Sequence, residues 1–66
     1  MLGPEERTIY NFLRENEWVR YSRIRTFAQE KGIGDPYSIL QRLISMGRAE
    51  EMAGRGQSRD RIYRAR

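Results

Sequence analysis

The chain has 66 residues, a formal charge of +4 and a pI near 10.1, with 38% hydrophobic and 33% charged residues. That length holds one domain with one small core, residues 1–66, and the composition is that of a folded domain and not of a disordered tail. Cysteine and histidine are both absent, which removes disulfides, thiolate metal sites, thiol nucleophiles and the usual general base.

The start, Met1 to Glu6, lacks the basic and apolar stretches of a signal peptide, and no apolar run approaches the ~20 residues of a membrane span. A cytoplasmic protein is the expectation. Pro4 suits the first turn of an opening helix, with Glu5 and Glu6 near its positive end. Ile9, Phe12 and Leu13 then form an apolar stripe at i, i+3, i+4, and the helix should fray near Asn16. Trp18-Val19-Arg20-Tyr21 is rich in strand formers. It reads as a short extended segment able to pair with a later hairpin, and Trp18 as a core plug more than a stacking platform.

Ser22 to Gly47 reads as two short helices around a glycine turn. Ser22 is the expected N-cap, and Ile24, Phe27 and Ala28 the inward stripe. Gly32 suits a left-handed cap residue, with Ile33 folding back on Phe27 or Ala28. Asp35-Pro36 restarts a helix, Ile39, Leu40, Leu43 and Ile44 form its apolar face, and Gly47 ends it. Helix, glycine turn, helix is the geometry of a DNA-binding helix-turn-helix. The face away from the core would carry Tyr37, Ser38, Gln41, Arg42 and Ser45, residue types able to meet base edges or phosphates. From these residues alone, an ordinary αα-hairpin with a solvated polar face accounts for the pattern equally well.

The C-terminal stretch shifts the balance. Residues 1–52 set eight Lys+Arg against eight Asp+Glu, whereas residues 53–66 carry Arg55, Arg59, Arg61, Arg64 and Arg66 against Asp60 alone. The whole excess charge lies there. Gly54-Arg55-Gly56-Gln57-Ser58 reads as a turn-rich loop of about five residues, flanked by strand-compatible residues up to Arg64, so a β-hairpin is expected. Alternation does not decide whether Ile62 or Tyr63 points inward.

Helix, extended segment, helix, turn, helix and hairpin, in that order, resemble the winged helix-turn-helix family. The closest local likeness runs from Ser38 to Glu50, where Leu40 and Leu43, three apart, precede Gly47 by four residues. Arg48-Ala49 departs from that pattern, since two apolar residues usually follow the glycine. The resemblance implies an α+β, mainly α fold: three helices with a helix-turn-helix, a short extended segment and a C-terminal β-hairpin wing. It also implies that Tyr37, Ser38, Gln41 and Arg42 face the major groove, and that the wing, with Arg55, Gln57, Ser58, Arg59 and Arg61, meets the backbone or minor groove.

Several arginines on one hairpin would displace condensed counterions and make binding steeply salt-dependent. Double-stranded DNA is therefore the expected partner, through a small transcriptional regulator or chromatin-type binder. A homodimer using the first helix or the hairpin is plausible. The other readings are an adaptor module presenting Tyr10, Trp18, Tyr21 and Tyr37 to a protein partner, and an RNA binder. No enzyme activity, metal, cofactor or small-molecule ligand is expected, and the carboxylates are expected on solvated faces.

Overall fold

Two prolines open two helices. Pro4 starts α1 (Pro4–Glu15) and Pro36 starts α3 (Pro36–Ser45), each at a position where a missing N–H costs nothing. Asp35 caps α3 by accepting from the Ser38 backbone N–H at 3.2 Å, as its sequence position predicts. Between them lies α2 (Tyr21–Glu30), which starts without a side-chain cap. Ser22, expected as that cap, sits one residue inside the helix instead. The chain enters α2 directly from the strand β1 (Val19–Arg20), and the Tyr21 N–H donates to the Arg61 carbonyl at 2.9 Å. A backbone hydrogen bond thus satisfies the first N–H of a helix that has no side-chain cap.

Glycine closes both α2 and α3. Gly32 and Gly47 have φ of +73° and +72°, the left-handed conformation that disfavours a Cβ. At each end two bonds pick up the last carbonyls. Gly32 N–H donates to Gln29 O and Ile33 N–H to Ala28 O; Gly47 N–H donates to Ile44 O and Arg48 N–H to Leu43 O. Ile33 is thereby drawn into the core.

The computed structural model describes residues 2–53 and 60–66. It is a small α+β domain, mainly helical, completed by β2 (Ala49–Met52) and β3 (Ile62–Ala65). The three strands form an antiparallel sheet in the order β1-β3-β2. Val19 faces Tyr63 and Arg20 faces Ile62; across the other ladder Ala49 faces Ala65, Glu50 Arg64, Glu51 Tyr63 and Met52 Ile62. The extended segment does pair with the hairpin, as its residues suggest. Ala53, Asp60 and Arg61 lie outside the strands, and the loop expected at residues 54–58 lies outside the described residues.

Directly opposed residues share a face of the sheet. Val19, Tyr63 and Ala49 turn toward the helices and join Ile9, Leu13, Ile24, Ala28, Ile39, Leu40 and Leu43 in one core. Tyr63, not Ile62, is the inward residue. Phe12 and Phe27 stack at 4.1 Å between centroids and tie α1 to α2.

Trp18 is not a core plug. It stands just before β1, beside the Arg64 guanidinium, and is 38% exposed. Val19 fills the place that the larger ring was expected to take.

Leu40 is fully buried at the centre of α3. Leu40→Ala is expected to cost about 2–5 kcal/mol, a large share of the ~5–15 kcal/mol typical of a whole domain. Urea unfolding followed by circular dichroism measures it; a loss below about 1 kcal/mol would mean that α3 is not anchored there.

Candidate nucleic-acid interface

Ile39, Leu40 and Leu43 bury one side of α3, which leaves Tyr37, Ser38, Gln41, Arg42 and Ser45 on the other. Tyr37, Ser38, Arg42 and Ser45 are exposed there and Gln41 is half-buried. Tyr37 is the most open large hydrophobic side chain among the described residues, 52% exposed, with its ring edge-on to Tyr21 at 6.3 Å.

The polar groups of this face are partly engaged within the molecule. Ser38 Oγ donates to Asp35 Oδ2 at 2.7 Å, and Ser45 Oγ donates to the Arg42 carbonyl at 3.0 Å. Both hydroxyls serve the helix backbone and its cap. Gln41 Nε2 donates to Glu51 Oε2 over a long 3.3 Å. Arg42 Nη1 donates to Glu6 Oε2 at 2.8 Å. The Arg42 side chain is still 65% exposed and has further N–H donors, so the pair leaves it able to reach an anion.

Glu6 is the residue that sequence reasoning misplaced. Expected on a solvated face, it is 8% exposed and joins α1 to α3. Its Oε1 accepts from the Gly3 N–H at 2.7 Å while its other oxygen holds Arg42. These bonds, the Gly3 N–H first and Arg42 second, hold its carboxyl below the ordinary range. A signal was present: Glu three residues after a helix cap reaches back to the cap's N–H. With glycine as the cap, no side chain advertises the motif.

Glu51 plays the matching part on the sheet side. It accepts from Gln41 and pairs with Arg61 Nη1 at 3.2 Å. Burial first, and hydrogen bonding to Glu51 second, push the Tyr63 phenol far above its ordinary range. Tyr21, Tyr37 and Tyr63, with Asp60 and Arg61, line a hollow of about 260 Å³ beside the start of α3.

Of the five expected hairpin residues, only Arg61 lies within the described residues; Arg55, Gln57, Ser58 and Arg59 lie outside them. The C-terminal charge excess is partly answered locally. Arg61 pairs with Glu51, while Arg64 Nε and Arg66 Nε both pair with Glu50, the latter at 3.6 Å. The sequence hides this because the arginines and their partners are ten or more positions apart along the chain.

The four aromatics Tyr10, Trp18, Tyr21 and Tyr37 do not form one patch. Tyr10 and Trp18 line one hollow, and Tyr21 and Tyr37 another. Among the described residues no group of three or more acidic, Cys or His side chains could hold a metal ion, and no helix is long and apolar enough to cross a membrane.

Comparison with family models, with curated proteins and with solved structures finds no match to this chain.

The Glu6 pairing carries a pH dependence of known sign. A carboxyl held low in the folded state stabilises the fold above its unfolded pKa and loses that contribution as acid protonates it. Glu6→Gln is expected to lower the thermal midpoint at neutral pH, and the gap from the parent is expected to close progressively below about pH 5. Thermal melts across that range check it; a gap that stays constant into acid would mean that the charge of Glu6 is not what joins α1 to α3.

Proposed function

We propose that this protein binds double-stranded DNA as a winged-helix domain, with α3 in the major groove and the β2–β3 hairpin against the backbone or minor groove. The observation that carries this reading is the outer face of α3. One side of that helix is locked into the core, and its other side presents exposed Tyr37 and Arg42 and half-buried Gln41. A helix held in that way can enter a groove about as wide as itself without rearranging the domain. The order of elements and the β1-β3-β2 sheet agree with the winged-helix resemblance.

In this reading Gln41 exchanges its long bond to Glu51 for a base edge, and Arg42 keeps Glu6 while donating to a phosphate or a guanine. Arg55 and Arg59 supply sequence-independent affinity through counterion release. The role is that of a small transcriptional regulator or chromatin-type binder. The adaptor reading is weaker, because it needs one aromatic patch and the four rings divide between two hollows.

Fluorescence anisotropy on a mixed-sequence duplex, titrated across salt, tests the proposal. Replacing both Arg55 and Arg59 with Ala is expected to weaken binding to all sequences and to reduce the log–log salt slope by about 2, close to one unit per lost phosphate contact. Gln41→Ala is expected to relax preference at one base pair by about 1–3 kcal/mol while leaving the slope intact. An unchanged slope in the double variant removes the hairpin from the interface. No binding at low salt overturns the reading as a whole.

A further inference from the structure

The sheet has two faces, and the helices cover only one. On the other, the ladder register places Arg64 beside Glu50 and sets Arg20, Ile62 and Met52 in the next row, while Trp18, just before β1, reaches Arg64 with its ring. Trp18, Arg20, Met52 and Arg64 are exposed there, and Glu50 and Ile62 are half-buried. The Arg64 guanidinium sits 4.8 Å from the centre of the Trp18 ring and is also bound to Glu50. Trp18 is thus held in place by a cation that is itself held, and it remains 38% exposed. Beside the indole is a hollow of about 360 Å³, bounded by Tyr10, Arg14 and Arg66, with the Tyr10 hydroxyl donating to the Arg66 carbonyl at 3.1 Å.

We infer that this surface binds single-stranded nucleic acid, with an unpaired base stacked on Trp18 in the adjoining hollow and the flanking phosphates met by Arg14, Arg20 and Arg66. Three observations carry the assignment. The first is chemical: an exposed aromatic ring among arginines is the combination that holds unpaired bases, because every base has a π-face and every linkage a charge. The second is electrostatic: Arg14, Arg20, Arg64 and Arg66 outweigh Glu17 and Glu50, so a second copy of the same face is repelled while a polyanion is attracted. The third is mechanical: the Glu50–Arg64–Trp18 contacts hold the ring before any ligand arrives, so little side-chain freedom is lost on binding. Neither this cluster nor the hollow contains any residue of α3, so the site does not rest on duplex binding by that helix.

Trp18 is the only tryptophan in the chain, so its fluorescence reports the site directly. The experiment titrates the protein with a single-stranded oligothymidylate, followed by tryptophan quenching. A hairpin-capped duplex, which offers no frayed ends, is measured in parallel by anisotropy. Strong quenching is expected. Trp18→Leu is expected to weaken single-strand binding, measured by anisotropy, about tenfold, with duplex binding changed less than about twofold. Arg20→Gln, at an exposed position, is expected to weaken single-strand binding and lower its salt slope by close to one. It keeps the question open to test should Trp18→Leu melt too low. Absence of quenching, or single-strand affinity unchanged in Arg20→Gln and in a folded Trp18→Leu, overturns the inference. Loss of duplex binding alone, in the Gln41 and Arg55/Arg59 variants, bears on α3 and the hairpin and leaves this site standing.

Discussion

Tyr63 lies on the middle strand with 1% of its surface exposed, and its neighbours across the sheet are Val19 on one side and Glu51 on the other. Side chains alternate along a strand, so a slip of one residue would turn this ring into water and bring Ile62 or Arg64 inward. Burying a tyrosine removes more apolar surface from water than the smaller residues around it, and its hydroxyl still needs a polar partner. Glu51 lies within reach on the same face. The position of that one ring therefore decides the register of both ladders. It sends Val19 into the core, and it sends Arg20 and Arg64 to the far side. The outer sheet face is as much a product of Tyr63 as the core is.

Three carboxylates then act as joints between elements. Glu6 links α1 to α3, Glu51 links β2 to α3 and to the approach of β3, and Glu50 links β2 to the end of β3. The exposed pairs are each worth about 0–1 kcal/mol, so they orient side chains more than they hold the fold. Their consequence is for charge. An arginine tied to a neighbouring glutamate projects a weaker field than its formal charge suggests. Arg20, exposed and without an ion pair among the described residues, projects a stronger one. A net charge read along the chain misses this distinction, because both partners of such a pair count whether or not they meet.

The two faces proposed to meet nucleic acid are built differently. On α3 the contact residues come from one helix, and local spacing alone puts them together. On the sheet, Trp18, Arg64 and Glu50 come from three separated segments, and only strand pairing makes them neighbours. A helical face can be proposed from i, i+3, i+4 patterns, whereas a sheet face cannot be drawn until the register is known.

That contrast separates what was legible in the chain from what was not. The three helices, the Asp35 cap, the left-handed Gly32, the stop at Gly47 and the apolar faces of α1 and α3 could all be read from residues close in sequence. Each rests on local physics: a missing N–H at proline, a missing Cβ at glycine, a period near 3.6. The outward Trp18, the buried Glu6, the tethering of Arg42 and the pairing of Arg61 with Glu51 and of Arg64 and Arg66 with Glu50 could not be read so. Glu6 and Arg42 are separated by 36 positions along the chain, and nothing local says that a helix start and a helix end will touch. Sequence by itself determined which segments are helical, where they stop and which side of each is apolar, because those choices are made within a few residues. The tertiary structure alone decided which charges meet, which aromatic ring is covered and which is left open, because those outcomes depend on how separate elements pack around Tyr63 and Leu40.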